Sequence, residues 1–559
     1  MKKRWLLLSV FSFFVTSLFA QNTFYIVKLK DKIGTPFSIN QPSQFLSLRA
    51  IERRQRQRIS IDETDLPITP RYIDSIRLSG NVTIVNVSKW LNQVCIFTTD
   101  IVALNKINQF PFVQNTLSVK RRIPSSIITK NKFVQKTDST TSNTIIKGAG
   151  DILSYGNSYD QIHIHEGEFL HNKGFQGQGM LLSIIDAGFY HYLILPAFDS
   201  VRANQQIVET FDFVKNHPDV NEEDSHGMSC FSIIAANIPD KLIGSGNKAH
   251  FLLYRSEDVY SESPLEEQNW IAAAERSDSA GADVITTSLG YNTFDNPQFD
   301  YTYQDMNGRT TMIAIAATYA ARKGMIVLAA AGNEGNVSWH YIITPADADS
   351  ILSVGAVNSS GVIGSFSSYG PSADGRVKPT VASVGVGTFL SSSNGTITQG
   401  NGTSFATPNL AGLVICLWQA FPEFTNIEII ESVKKSSSIY QSPNNRIGYG
   451  IPNFRIAYED LAHQRYLRAL KILGNQTMKV YPNPAKDNFT VMIKSQNSGP
   501  ATLQFFDVSG KLYLTKSVVL QKDEIQTFQF NNFPPLAKGV YFLKLNDGNS
   551  QQSLKIMIQ

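Results

Sequence analysis

Residues 400–412, GNGTSFATPNLAG, place one hydroxyl, Ser404, behind small residues and ahead of a helix-like stretch. A serine hydroxyl is a poor nucleophile until a positioned base takes its proton. Small residues in front let a substrate backbone come close. A helix beginning at Ser404 would aim its free N–H groups and its dipole at developing negative charge. A base is offered by DSHGMSC, where His226 precedes the apolar run CFSIIAA. Asp186 ends the run MLLSIID, and its carboxylate could hold the imidazole in one tautomer and stabilise its charged form. In AAAGNEG (329–335), Asn333 follows another apolar run; its amide could donate to an oxyanion together with the Ser404 N–H. Each residue also has a plain structural use. Asp186 could finish a turn, His226 could be a structural histidine, Thr403 or Ser404 could cap a helix, and AGN could be a left-handed turn. The four together, in this order, point to acyl transfer.

The elements that must position them alternate. MLLSIIDAG (180–188), AHFLLYRS (249–256), ADVITTSLG (282–290) and MIVLAAAGN (325–333) are apolar without polar alternation, as strands buried on both faces are. Helix-like segments lie between them, which predicts βαβ units and a parallel sheet. Ligand sites in such sheets lie beyond the carboxyl ends of the strands, where these polar residues stand.

The four stretches resemble the subtilisin-like serine peptidases, which carry Asp, His, Asn and Ser in this order. The resemblance spans roughly 175–455, and GTSFATP is its most specific motif. It implies an α/β fold, a doubly wound and mostly parallel sheet flanked by helices, and a serine endopeptidase with Asp186, His226, Ser404 and Asn333 as catalytic residues. TTSLG (286–290) resembles the segment that pairs with a substrate backbone. Ser288, Leu289 and Gly290 would form one wall of the slot for the residue before the scissile bond, with Ala330, Ala331 and Gly332 opposite. Two positions depart from the family pattern: Ala187 stands where Thr or Ser usually follows the Asp, and Met228 where Thr usually follows His-Gly. Cys230 falls where one branch of the family carries a Cys. Relatives often bind Ca²⁺ through loop carboxylates; the run DVNEED (219–224) is a candidate, but no metal or other cofactor is assigned.

The flanks read differently. MKKRWLLLSVFSFFVTSLFA (1–20) has a basic start, an apolar run and a final Ala, the pattern of a secretory signal peptide. No other run is apolar enough to predict a transmembrane segment. Residues 22–34 alternate like an edge strand, 49–58 like a charged helix, 82–97 like two strands, and 103–116 like a helix and strand, which makes a small α+β domain ending near residue 125. The Ser/Thr-rich segment 136–150 reads as a linker. Residues 21–150 carry 19 Lys/Arg against 8 Asp/Glu, whereas 151–450 carry 15 against 31, within an overall net charge of +4. Opposite charge suits docking of one region on the other, and the resemblance makes 21–150 a prosegment and linker before a peptidase domain at 151–460. On that reading the separate prosegment would inhibit in a salt-weakened manner. Nucleic-acid binding is the competing meaning of a basic region, and export argues against it.

The tail (475–559) shows strand alternation and predicts a β-sandwich-like domain. VYPNP, FFDVSGKL, GVYFLKL and the final KIMIQ resemble the C-terminal sorting domain of the type IX secretion system. This implies a Gram-negative bacterium of the Bacteroidetes group and a protein released from the cell or held at its surface. Expected partners are protein or peptide substrates, the prosegment and the secretion machinery. The alternative function is a catalytically impaired surface binding or adhesion protein; another is an enzyme that cuts only its own prosegment or one partner. Three widely spaced Cys (Cys95, Cys230, Cys416) make no disulfide framework or metal pattern and read as buried thiols.

Overall fold

In the computed structural model, the residues described are 23–121, 150–221, 224–486, 488–531 and 536–559. The signal peptide, the linker at 136–149, and Glu222 and Glu223 of the acidic run lie outside them. The chain divides into two compact units between Ala457 and Tyr458.

The first unit starts with a four-stranded antiparallel sheet. Its strands are β1 (Thr23–Leu29), β2 (Val82–Ser88), β3 (Gln93–Thr98) and β4 (Val113–Arg121), with helices α1 (Leu48–Gln57), α2 (Pro70–Arg77) and α3 (Ile101–Asn108). The order is β2-β3-β1-β4, so β1 is an inner strand and not the edge strand its alternation predicts. Both of its faces are covered. Val27 joins the core under α2 and α3, while Ile26 packs with Cys95, Val119 and Leu265 across the sheet.

The central layer is a seven-stranded parallel sheet of β5 (Leu181–Asp186), β6 (Ile207–Asp212), β7 (His250–Arg255), β8 (Val284–Thr287), β9 (Ile326–Ala330), β10 (Leu352–Val357) and β11 (Val381–Val384). Their order is β11-β10-β9-β8-β5-β7-β6. Helices α4 (His226–Ala235), α5 (Pro264–Ala280), α6 (Met312–Arg322), α7 (Thr403–Ala420) and α8 (Asn426–Lys435) flank it. Every residue of β5, β8, β9 and β10 is buried, as the unalternating runs require. The strand order reverses between β5 and β8. A crevice opens at such a reversal beyond the carboxyl ends, and Asp186 and Ser288 stand there.

The α1–β3 region seats on α5 through buried charge. Arg53 bonds Asp278 Oδ1 at 2.5 Å, and Arg54 bonds Asp278 Oδ2 at 2.9 Å and Asp65 at 2.6 Å. Lys323 completes the chain at 2.8 Å from Asp65. Arg53, Arg54, Asp65 and Asp278 are each at most 1% exposed. Burial opposes the Asp278 charge, but Arg54, Lys89 and Arg53 outweigh it and hold that carboxyl far below the usual range. Glu275 accepts from Ser88 Oγ at 2.5 Å and from the N–H groups of Lys89 and Trp90 at 2.8 and 3.0 Å. Gly281 ends α5 with φ +92°, and a Cβ there would lie 2.8 Å from the Ala50 nitrogen of α1. The turn and the close approach both demand glycine. Bulk salt screens buried pairs weakly, so salt-weakened inhibition does not follow from these contacts; salt would act on encounter instead.

The second unit is two antiparallel sheets around one core. One is β12 (Met478–Tyr481), β13 (Phe489–Lys494) and β16 (Ile525–Phe530), in the order β12-β13-β16. The other is β14 (Gly499–Asp507), β15 (Leu512–Leu520), β17 (Gly539–Asn546) and β18 (Gln551–Ile558), in the order β15-β14-β17-β18. Phe489, Phe505, Phe530 and Tyr541 fill the space between them. Among the described residues, no helix is long and apolar enough to cross a membrane.

Candidate active site

Asp186 is the last residue of β5 and is fully buried. Its Oδ1 accepts from the Ala187 N–H at 2.7 Å and lies 2.6 Å from His226 Nδ1. With the proton on Nδ1, the imidazole donates to the carboxylate and turns Nε2 away from it. His226 opens α4, and its backbone N–H donates to Asp224 Oδ1 at 2.6 Å. Burial opposes charge on the ring, but Asp186 first, then Asp224 and Glu257, raise its pKa above the ordinary histidine value of 6.5. Among the described residues, none makes a hydrogen bond to the buried Oδ2 atom of Asp186. Ala187 has no hydroxyl to offer it.

Ser404 is the second residue of α7 and 8% exposed. Four residues on, Pro408 lacks the N–H that would close the helix bond to the Ser404 carbonyl. Side chains of two other elements take that oxygen. Ser288 Oγ donates to it at 2.7 Å and Cys230 Sγ at 3.3 Å. The Ser404 hydroxyl donates to the Ser288 carbonyl at 3.3 Å. That hydrogen bond goes to the segment just after β8.

Asn333 follows β9 and is exposed. Its Oδ1 accepts from the Thr403 N–H at 2.9 Å and from Thr403 Oγ1 at 3.1 Å. Both contacts consume the carbonyl end, so the NH₂ end faces outward, 3.8 Å from where a Gly402 Cβ would lie.

His226, Ser404 and Asn333 line one cleft of about 740 Å³, together with Ser288, Leu289, Gly290, Ala330 and Gly332. Ala331 does not line it. It is the first residue after β9 and packs into the core with Ile342 and Ala346. The cleft also takes in Glu257, Glu262, Asp295 and Glu334, acidic residues that the sequence reading passed over. The sequence reading offers Thr403 as a cap and Ser288 as a slot wall, but not their hydrogen bonds to Asn333 and to the Ser404 carbonyl. Pro408 was the available signal, since a proline four residues after the hydroxyl announces a carbonyl in need of another donor. In the described part of the acidic run, Asp219 Oδ1 accepts from the Asn221 N–H at 2.8 Å and Asn221 Oδ1 from the His191 N–H at 2.9 Å. Those oxygens hold the loop itself. All three Cys are buried thiols.

Residues 177–450 match the subtilase family, residues 24–139 the Bacteroidota peptidase S8 propeptide domain, and residues 479–559 a secretion system C-terminal sorting domain. Subtilisin NAT of Bacillus subtilis subsp. natto is 28% identical over 292 residues, covering 52% of this chain and 68% of the relative. The thermophilic serine proteinase of Bacillus sp. (strain AK1) is 28% identical over 284 residues, 50% of this chain and 61% of the relative. The crystal structure of MycP1 from Mycobacterium smegmatis aligns with a TM-score of 0.43 at 20% identity, over 58% of this chain and 89% of that one. The sorting domain indicates type IX secretion, hence a secreted or cell-surface protein. The chain thus carries the propeptide, the subtilase domain of a serine-type peptidase and the type IX sorting domain of a Bacteroidota S8 protein.

Proposed function

We propose that the protein is a secreted endopeptidase that cuts protein substrates through an acyl-enzyme on Ser404. The observation that carries this reading is the buried 2.6 Å contact of Asp186 with His226, set in the same cleft as Ser404 at the mouth of a subtilase-type sheet. Substrate would enter as an added strand along Ser288–Gly290. The Ser404 hydroxyl leaves the Ser288 carbonyl by rotation about its side-chain bond and gives its proton to His226 Nε2 as Oγ attacks the scissile carbonyl. Free enzymes commonly hold such groups out of line until substrate arrives. Asp186 stabilises the imidazolium, which next protonates the leaving amine. The Asn333 amide and the N–H groups opening α7 meet the oxyanion. A water, deprotonated by His226, then releases the acyl group. Residues 21–150 would be the prosegment and linker, removed on maturation.

The reading is tested by hydrolysis of fluorescent casein and by labelling with a phosphonate ester that reacts only with activated serines. Turnover, with one label per chain located on Ser404 and lost in His226→Ala, is the expected result. Label on another serine, or none on a protein that turns over no peptide, would instead favour a binding protein.

Asn333→Ala should lower kcat by roughly 10²–10³, the usual effect of one oxyanion donor, with little change in KM; steady-state kinetics on a peptide anilide reads both. The pH profile carries its own sign. The base must be neutral, and a raised His226 pKa keeps it protonated to higher pH, so kcat/KM should fall on acidification with a midpoint above 6.5. Asp224→Asn, which removes one of the carboxylates raising it, should move that midpoint down.

A further inference from the structure

The two walls of the slot beside Ser404 meet on one side chain. An ideal Cβ on Gly290 would lie 2.6 Å from both Cγ1 and Cδ1 of Ile343; on Gly332 it would lie 2.9 and 3.1 Å from the same atoms. Neither wall can carry a side chain, because Ile343 already occupies the space between them. At Gly290 this crowding, and no unusual φ, is what calls for glycine. Ile343 lines the cleft and is 9% exposed. It is held from behind: its N–H donates to the Ala331 carbonyl at 3.1 Å. The next residue, Thr344, exchanges two backbone hydrogen bonds with Tyr291, at 2.8 and 3.2 Å. Floor and wall therefore cannot part without breaking that bridge.

We propose that Ile343 is the floor of this slot and restricts the residue before the scissile bond to small side chains such as alanine. The proposal rests on reading Ser404 as the nucleophile and these two stretches as the slot for that residue. A branched hydrocarbon floor offers nothing to an ammonium, guanidinium or hydroxyl group. It also takes the depth that an aromatic ring would need, and forcing bulk into a packed site is destabilising. One methylene too many in such a pocket changes the specificity constant by roughly 10–200-fold, so a ring should be refused by at least tenfold.

The test compares tetrapeptide anilides that differ only in the last residue, Ala or Phe, on the matured protein. Wild type should favour Ala by tenfold or more in kcat/KM. Ile343→Gly should reverse the order, and Ile343→Val should shift the ratio the same way by a smaller factor while keeping the packing. Wild type accepting Phe as readily as Ala overturns the proposal. So does a wild-type ratio in either variant that still turns over the Ala substrate. A second arm measures binding of the matching peptide acids to Ser404→Ala and to Ser404→Ala/Ile343→Gly, each first freed of its prosegment in trans by a trace of active wild type. This arm reads the slot without chemistry. A protein that cleaves nothing yet prefers the Ala acid refutes the peptidase reading alone; one that cleaves but binds both acids equally refutes the floor alone.

Discussion

Ser404→Ala is expected to lower kcat on a peptide anilide by about 10⁶, the order of loss found when the nucleophile of such a triad is removed. The binding groups survive, so KM should stay within a few-fold. The size follows from how the work is divided. On the proposed mechanism Asp186 and His226 serve one hydroxyl; without it the pair has nothing to activate, and His226→Ala should cost about as much. The double variant should therefore be no worse than either single one. Residual hydrolysis, supported by the Asn333 amide and the α7 N–H groups, should persist above the rate in water. Full activity in Ser404→Ala would remove the acyl-enzyme.

The second large effect belongs to the buried charges under α1. Asp278→Ala leaves the guanidinium groups of Arg53 and Arg54 in a site at most 1% exposed, with their shared carboxylate gone. Breaking a buried pair from one side costs about 3–5 kcal/mol. In a full-length Ser404→Ala background, which cannot process itself, denaturant should release the α1–β4 domain well before the seven-stranded sheet unfolds. With Asp278 intact the two should resist together. The outcome is read by following Trp90 and the sheet with separate probes. Because the Asp278 carboxyl is held far below its usual range, the docked form should keep this contribution through mildly acidic pH and lose it only in strong acid. Coincident transitions in Asp278→Ala would show that the network is not what seats the domain.

The parallel sheet was legible because a strand buried on both faces leaves an unbroken apolar run, as MLLSIID and MIVLAAAGN do. The residues after those runs were legible as a site for the same reason: a strand's polar end must have a use. What escaped has a common cause. Nothing in NTFYIVKLK says that a second face will be covered by a helix some 240 residues later, so β1 looked like an edge. Ala330–Gly332 shows no alternation in sequence, so that Ala331 alone turns into the core could not be read from it. Ile343 carries no motif; it gains meaning only because two glycines from other segments close on it. The opposite charges of the two regions pointed to docking, but which residues pair, such as Arg53 with Asp278, was not legible because the partners are far apart in sequence.

Because Pro408 leaves the Ser404 carbonyl to Ser288 and Cys230, three separate stretches of chain are knotted at one oxygen, and the attacking group inherits its aim from all of them. Warmth that loosens any one should spoil that aim while the surrounding layers are still whole. Heat inactivation would then run ahead of melting, and a sample gently overheated and cooled would recover by re-seating a few contacts instead of by folding anew.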